Sequence, residues 1–327
     1  MTSDQFPRVD ILLSTFNGAA YLPELLASLA AQDHPDLGLL VRDDGSTDGT
    51  VALLQAFAAA HPRLRVQLFI GEGNLGPCRS FLSLMKRSRA RYMACADQDD
   101  VWHQGKVSAL VRALAEAEAQ QGDAMPMLSH CDLRVVNQLG TPIAPSFWAF
   151  SDLSPRRNRL SDLLVVNTVT GCAMVFNRAA RDLAVSVSMP VYMHDRWLAL
   201  ICALAGRIVV VDEALIDYRQ HGGNVVGAQH RRLWPLLTAR LRRLLETSPA
   251  ATVPASDTVR QDARYHLARF AEALLQLDLD WHALSGQRHL LEDVARLPEQ
   301  SRLRRWVFLL SRGLWARPLL KNYALFF

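Results

Sequence analysis

Three carboxylates fall within four positions directly after an apolar run. Asp97, Asp99 and Asp100 follow residues 91–96, which read RYMACA. Carboxylates at this spacing repel one another unless a cation lies between them. Mg²⁺ and Mn²⁺ are hard ions that one or two carboxylates bind together with phosphate oxygens and water. The cluster therefore fits a divalent metal that bridges to a diphosphate, although taken alone it slightly favours an Asp-rich turn that caps the next helix.

A second acidic pair ends an earlier apolar run. Asp43 and Asp44 stand in VRDDGSTDGT, just before a glycine and a helical pattern. A carboxylate in this place could accept a hydrogen bond from the imide N–H of a uracil or thymine ring. Capping of the next helix is the alternative, because Asp near a helix start satisfies free backbone N–H groups.

The elements that would position these carboxylates alternate along the first hundred residues. Short runs rich in Val, Ile and Leu are separated by stretches with apolar residues at helical spacing, which favours a doubly wound, mainly parallel α/β sheet. Ligands bind at the carboxyl ends of the strands in such sheets, so we expect Thr15–Asn17 and the two acidic clusters to meet at one edge. The predicted strands are 9–14, 37–44, 63–70 and 91–96.

The rest of the chain is less regular and ends in helical patterns. The sequence predicts a catalytic domain over residues 1–227 and a basic helical region over 228–327, with 247–257 as the best linker candidate. Helices are expected at 106–121 and 194–206, and strands at 127–137 and 165–178.

Charge is distributed unevenly along the 327 residues, whose formal net charge is +4. Residues 228–327 contain 16 Lys and Arg against 9 Asp and Glu, whereas residues 1–227 contain 20 against 23. A basic tail favours an anionic partner such as a membrane surface or an acidic carrier. Five scattered cysteines, no export signal and no apolar run of about 18 residues are typical of a reduced cytoplasmic protein that does not span a bilayer.

Seven motifs in one order carry a resemblance to a known family. LLSTFNGAAYL, VRDDGSTDGT, GNLGPCRSF and ADQDDVW resemble the family 2 glycosyltransferases with the GT-A fold, and TGCAMVFNR, HDRW and YRQHGGNVVG extend the match to about residue 227. The last motif is most similar to bacterial rhamnosyltransferases that build O-antigen and related surface polysaccharides. The resemblance implies a GT-A fold with a helical C-terminal extension.

The resemblance assigns donor-binding roles to residues at the strand ends. It implies that Thr15 and Asp44 contact a pyrimidine base, with Phe16 stacked against the ring and Asn17 in the same donor-binding group. Asp97 would lie near the ribose and the metal, and Asp99 would be the main protein ligand of Mg²⁺ or Mn²⁺.

The remaining site residues come from the last two motifs. Asp195 in HDRW matches the general base of inverting members, which takes the proton of the acceptor hydroxyl. His221 could bind the metal, pair with the diphosphate or brace its loop, and these alternatives stay open. Arg219 could bind a phosphate in a bidentate pair.

The resemblance also implies substrates and partners. The donor is expected to be dTDP-L-rhamnose, with a UDP-hexose as the alternative, and the acceptor a lipid-linked oligosaccharide. No nucleic-acid partner is expected, and homo-oligomer formation is left open. A sugar-phosphate nucleotidyltransferase fits less well, because the loop STFNGAAYL has one glycine and no basic residue to hold a triphosphate. A non-catalytic binder fits less well because all the acidic site residues are present.

The basic tail predicts where the protein works. RRLWPLLTARLRRLLE and the segment 302–327 mix Arg with Trp, Leu and Phe, which is typical of helices that lie on an anionic membrane surface. Packing of these helices against protein is the alternative. We therefore expect a peripheral protein on the inner face of the cell membrane.

Overall fold

The computed structural model describes residues 7–71, 73–187, 193–221, 256–301 and 307–308. Strands and helices alternate through the first half of the chain. The strands are β1 (Val9–Thr15), β2 (Leu37–Asp43), β3 (Val66–Phe69), β4 (Tyr92–Asp97), β5 (Val101–Trp102), β6 (Met127–Val136), β7 (Pro142–Ala144), β8 (Met174–Asn177) and β9 (Arg207–Arg219). The helices are α1 (Leu22–Ala30), α2 (Thr50–Ala60), α3 (Pro77–Arg87), α4 (Lys106–Gln121), α5 (Phe147–Phe150), α6 (Leu160–Leu163), α7 (Arg178–Ser186), α8 (His194–Ala205), α9 (Ser256–Leu275) and α10 (Ser285–Ala295).

All the described strands belong to one mixed sheet. Its order is β3-β2-β1-β4-β8-β6-β9-β5, and β7 pairs with β6. The first four strands run parallel to one another, as does β6 with β9, whereas β8 is antiparallel to both β4 and β6. The predicted doubly wound, mostly parallel α/β sheet is confirmed.

Buried apolar residues on both faces of the sheet explain why the strands read as continuous apolar runs. In β1, Ile11 and Leu13 pack into the core on one face, while Leu12 packs into the core on the other face. Successive side chains of a strand point to opposite faces, so a strand covered by helices on both sides must be apolar throughout.

Local signals set the ends of the helices that carry the site. Proline occupies the first turn of α1 and of α3, where a missing N–H costs nothing. Helix α4 ends at Gln121 because Gly122 adopts φ 89°, a conformation that glycine accepts without strain. The predicted helix over 106–121 is confirmed.

The parallel register brings the predicted polar clusters to one edge of the sheet. Thr15 at the end of β1 is paired with Asp43 of β2, and Ser14 is paired with Asp97 of β4. Three segments that lie about 30 and 50 residues apart in sequence therefore meet at the carboxyl ends of adjacent strands. This confirms the expected convergence.

The predicted strand over residues 165–178 is wrong for its first part. Residues 165–170 form a loop, Gly171–Ala173 is a 3₁₀ turn, and the strand begins at Met174. The β-branched composition of this stretch favours a strand. The loop is held instead by a side-chain bond within it, from Asn167 to the carbonyl oxygen of Val169.

The described C-terminal helices share a core with the catalytic part of the chain. Phe270 of α9 lies 6.5 Å from Trp197 of α8, centroid to centroid, in a stacked arrangement. Apolar residues of α9 and α10, including Leu274 and Leu291, complete the same buried cluster. This part of the predicted C-terminal region packs against α8.

The predictions for the remaining tail fall on other residues. Residues 231–246, most of the predicted linker 247–257 and nearly all of 302–327 lie outside the described residues. Within the described part of the chain, none of the helices combines the length and the apolar character that crossing a bilayer requires.

Candidate active site

The ends of β1 and β2 form a hydrogen-bonded floor. The Thr15 hydroxyl donates to Asp43 Oδ2 at 2.9 Å, and Asp43 also accepts from the backbone and hydroxyl of Ser46 at 2.8 and 2.6 Å. Asp44 is buried, forms an ion pair with the fully buried Arg42, and accepts from the backbone N–H of Leu75 at 3.3 Å. Asp43 therefore shapes the turn, while Asp44 is the carboxylate oriented by a cation.

Phe16 and Asn17 form the loop that follows β1. The Phe16 ring is 49% exposed, while its backbone is fixed by Gln98, which accepts from its N–H at 2.9 Å and donates to its carbonyl oxygen at 3.1 Å. Asn17 adopts φ 48° and accepts from the backbone N–H of Thr47 at 2.9 Å. An exposed aromatic ring on a fixed backbone is a suitable platform for a planar base.

The acidic loop after β4 is buried and crowded. One oxygen each of Asp97 and Asp100 and the sulfur of Cys172 all lie within 4.8 Å of one another. Burial, followed by the charges of Asp99 and Asp195, raises the pKa of Asp97 to about 7. Burial and the neighbouring carboxylates also raise the pKa of Asp100. Asp100 Oδ2 has no hydrogen-bond partner among the described residues.

A buried lysine lies beneath this loop. Lys106 is fully buried at the start of α4, and its Nζ donates to the carbonyl oxygen of Cys172 at 2.6 Å and lies over the Trp102 ring. Burial lowers the pKa of Lys106 to about 7. Burial and the charges of Asp100 and Asp97 raise the pKa of Cys172. The thiol is therefore protonated at neutral pH.

Asp99 points to His221, which follows the end of β9. His221 Nε2 lies 2.7 Å from Asp99 Oδ2, and the His221 ring stacks on Tyr21 at a centroid distance of 4.7 Å. The exposed fraction is 14% for the His221 side chain and 15% for the Asp99 side chain. The structure thus brings together two of the three predicted metal ligands, and Asp97 lies in the same loop.

Arg219 is buried and bound to several segments. Its guanidinium donates to the backbone oxygens of Asp99 and Gln138 at 3.0 and 2.8 Å, and to Glu24 Oε2 at 2.6 Å. Its backbone N–H donates to Asp100 Oδ1 at 3.2 Å. In this conformation Arg219 braces the acidic loop, and its predicted contact with a phosphate stays a prediction.

Asp195 lies in the first turn of α8, where the helix dipole favours a negative charge. The side chain is 8% exposed. Its Oδ1 accepts from the backbone N–H of Arg196 at 2.6 Å, and its Oδ2 accepts from Asn167 Nδ2 at 3.2 Å. Burial raises the pKa of Asp195 to about 6 against the effect of these donors. The group is therefore ionised, and still basic, near neutral pH.

His194, the residue before Asp195, is buried and packs against Phe81. His194 stacks on Phe81 at a centroid distance of 4.0 Å, and burial lowers its pKa to about 3. A Cβ atom at Gly171 would lie 2.9 Å from His194 Nε2 and 3.5 Å from the Cβ of Asp195. The 3₁₀ turn therefore lies so close to α8 that a side chain at position 171 would clash with His194.

The residues present fit a divalent cation. Asp97, Asp99 and Asp100 offer hard oxygen ligands, and a cation would relieve both their mutual repulsion and the unsatisfied Asp100 Oδ2. The protonated, buried thiol of Cys172 is a soft group and a poor ligand for Mg²⁺ or Mn²⁺.

The sequence comparisons identify the family. The sequence pattern of glycosyl transferase family 2 matches residues 10–183, which contain the strand ends and the acidic loop described above. The chain belongs to glycosyl transferase family 2. The predicted family membership is confirmed, and the protein is a glycosyltransferase.

Two curated relatives of this family 2 glycosyltransferase have named roles. TuaG of Bacillus subtilis is named a putative teichuronic acid biosynthesis glycosyltransferase. It is 26% identical to this chain over 216 residues, which are 65% of this chain and 79% of TuaG. RfbG of Shigella flexneri, named a dTDP-rhamnosyl transferase, is 28% identical over 110 residues, 31% of this chain and 36% of RfbG.

A solved structure shares the fold of this family 2 member. S. aureus TarS 1-349 in complex with UDP-GlcNAc superimposes with a TM-score of 0.54 at 18% identity, over 88% of this chain and 72% of TarS. At this identity the likeness concerns the fold alone. The GT-A fold predicted from the motifs is confirmed.

Several site residues were not found from the sequence. Motifs and spacing do not single out Asn167, Gly171, Cys172 or Lys106. Lys106 carries one signal, a charge at the start of a helix whose next residues are apolar. The other three lie in the stretch misread as a strand, and their sequence carries no signal of the contacts with α8 and the acidic loop.

Proposed function

We propose that the chain is an inverting, metal-dependent glycosyltransferase with Asp195 as its general base. The observation that carries the proposal is a buried carboxylate whose pKa is raised to about 6 and whose charge acts on Asp97 of the acidic loop. A carboxylate with this pKa can take the proton of an acceptor hydroxyl, and the acidic loop beside it suits the diphosphate of a sugar donor.

The reaction has one displacement step. Asp195 takes the proton of the acceptor hydroxyl while that oxygen attacks the anomeric carbon of the donor sugar. The bond between the anomeric carbon and the diphosphate oxygen breaks, and its electron pair leaves with the nucleoside diphosphate. Attack opposite to the leaving group inverts the anomeric configuration. At neutral pH most of the Asp195 carboxylate is ionised and ready to accept the proton.

The donor is held by residues at the strand ends. Asp44, oriented by its ion pair with Arg42, accepts from the imide of the base, next to Thr15, and the exposed Phe16 ring stacks on it. Asn17 belongs to the same loop.

The diphosphate would lie at the acidic loop. Asp97, Asp99 and His221 would hold Mg²⁺ or Mn²⁺. A bound divalent ion supplies charge neutralisation for the departing diphosphate. Arg219 holds the loop in place through its bond to the backbone oxygen of Asp99, and its guanidinium is the proposed partner of a phosphate.

The proposed donor is dTDP-L-rhamnose, and the proposed acceptor is a lipid-linked saccharide of a surface polysaccharide. The named activity of RfbG and the pathway in the name of TuaG support this choice. A UDP-linked hexose is the second candidate, because the TarS structure of the same fold contains UDP-GlcNAc. The two donors differ in the base and the sugar but need the same mechanism.

Calorimetry separates these donors. Wild-type protein is titrated with dTDP, UDP and GDP, each with Mn²⁺ and again with EDTA. Metal-dependent binding of dTDP above UDP supports the rhamnose donor, and the reverse order supports a UDP-sugar. Absence of binding for all three nucleotides would contradict the proposal, because the acidic loop would then be only a turn. Asp44→Asn is the matched variant, since it keeps the shape of the side chain and removes its charge.

Membrane contact through residues 228–327 is a separate part of the proposal. It rests on the excess of Lys and Arg in this region and on the need to reach a lipid-linked acceptor on the inner face of the cell membrane. Deletion of residues 302–327 should reduce co-sedimentation with vesicles that contain anionic lipid. Unchanged co-sedimentation would contradict this part and leave the mechanism untouched.

A further inference from the structure

Asn167 has a side-chain amide whose orientation is fixed by its own loop. Its Oδ1 accepts from the backbone N–H of Val169 at 3.1 Å, and its Nδ2 donates to the carbonyl oxygen of Val169 at 2.8 Å. A backbone N–H requires an acceptor and a carbonyl oxygen requires a donor, so the two ends of the amide cannot be exchanged. The nitrogen therefore faces α8.

The second N–H of this nitrogen is directed at the proposed base. Asn167 Nδ2 lies 3.2 Å from Asp195 Oδ2, and the backbone N–H of Arg196 lies 2.6 Å from Asp195 Oδ1. Each carboxylate oxygen thus accepts one N–H and keeps further acceptor capacity. Two donors from different segments, the 165–170 loop and the start of α8, fix the carboxylate plane.

The environment of Asp195 opposes its ionised form, so the hydrogen bond from Asn167 matters for its charge. The carboxylate is buried, which favours its neutral form, and its charge in turn raises the pKa of Asp97. The charge of Arg196 favours the ionised form, while the buried His194 is neutral near pH 7. The titratable and charged groups that interact with Asp195 or adjoin it are Asp97, Cys78, Cys95, His194 and Arg196.

We propose that Asn167 is the positioning residue of Asp195, which holds the carboxylate ionised and aims it at the acceptor hydroxyl. The inference rests on the proposed function, in which Asp195 is the general base. The bond is supplied by a loop that is itself closed by the bonds to Val169, so the donor is already in place before any substrate binds.

Two variants change the hydrogen bonds of the Asn167 side chain in different ways. Asn167→Ala removes the donor and the loop bonds together. Asn167→Asp keeps an acceptor for the Val169 N–H but presents a carboxylate to Asp195. Asn158→Ala is the matched control, because the Asn158 amide in the same part of the chain donates to the carbonyl oxygen of Ile208 at 3.5 Å.

The readout is the titration of Asp195 itself. Protein labelled with ¹³C at the aspartate carboxyl carbon is titrated by NMR, and the Asp195 signal is assigned by its absence from Asp195→Asn. We expect the midpoint to rise by about one pH unit in Asn167→Ala, since a hydrogen bond to the charged form is lost. A larger rise is expected in Asn167→Asp because two carboxylates then face each other. Asn158→Ala should keep the wild-type midpoint.

A kinetic titration completes the test. The rate of nucleoside diphosphate release is measured against pH with the donor that calorimetry selects and the proposed lipid-linked saccharide acceptor, and its acid limb should move with the NMR midpoint. An unmoved midpoint and limb in Asn167→Ala would overturn the inference, even if KM or stability changed. Wild-type release by Asp195→Asn would instead overturn the proposed function, so the two failures are distinguishable.

Discussion

Replacing Gly171 by alanine should displace Asp195, the proposed general base, without touching the proposed base-binding residues Thr15 and Asp44. The added Cβ would lie 2.9 Å from His194 Nε2 and 3.2 Å from His194 Cε1. Ordinary van der Waals contacts of a Cβ atom begin near 3.4 Å, so the two groups must move apart by about 0.5 Å. The His194 ring cannot rotate away cheaply, because it is 7% exposed and stacks on Phe81 at 4.0 Å. The first turn of α8, which carries Asp195, has to shift.

The size of the effect follows from packing and from the geometry of proton transfer. Overpacking of a buried site costs roughly 1–3 kcal/mol. A misplacement of about 1 Å in a catalytic group can reduce the rate ~100-fold, so a shift of half that size should reduce kcat by about tenfold. Nucleotide binding should stay within about twofold, since Thr15 ends β1 and Asp44 follows β2, in segments separate from the 3₁₀ turn.

The assay compares Gly171→Ala with a matched glycine. Gly286→Ala introduces the same methyl group at a position where the new Cβ meets no atom of the described residues within 4 Å. Stability is followed by denaturant unfolding, and kcat by release of nucleoside diphosphate. The control should unfold at the wild-type denaturant concentration or above it, because alanine favours a helix more than glycine does. Wild-type kcat and stability in Gly171→Ala would refute the reasoning.

Three further predictions concern the fold and the metal. Gly206→Ala should destabilise the protein by about 4 kcal/mol or more in denaturant unfolding, because the new Cβ would overlap the backbone carbonyl of Pro126; near-wild-type stability would contradict this contact. Asp99→Ala should abolish the Mn²⁺-dependent part of nucleotide binding in calorimetry and spare the part that persists in EDTA. His130 is buried with its pKa lowered to about 4, so the unfolded state binds more protons as the pH falls from about 6.5 to 4; unfolding at pH 7 and pH 4 should differ by ~2–3 kcal/mol more in wild type than in His130→Leu.

Much of the donor side of the site could be predicted because it depends on local patterns. Alternating strand and helix signals imply parallel strands, and parallel strands place their carboxyl ends together. Thr15, Asp44 and Asp97 each lie within three residues of the end of an apolar run, so their positions follow from the ends of β1, β2 and β4. No contact between distant segments had to be guessed beyond the order of the sheet.

The surroundings of Asp195 could not be predicted in the same way. Asn167 and Gly171 matter through their contacts with α8, more than 20 residues later in the chain. The stretch around them is rich in Val and Thr, and its local preference for a strand is overridden by the loop bonds and by the packing of the 3₁₀ turn. Arg219 is similar, since its partners Glu24, Asp99 and Gln138 come from three separate segments.

The most direct test of the proposed mechanism is the rate of nucleoside diphosphate release by Asp195→Asn beside the wild type. Both proteins are assayed with the same donor, the same lipid-linked saccharide acceptor and Mn²⁺, and donor binding is measured on the same samples by calorimetry. A general base contributes roughly 10²–10⁴-fold, so the variant should bind the donor like wild type and release the product at least ~100-fold more slowly. Equal rates in the two proteins would contradict the account.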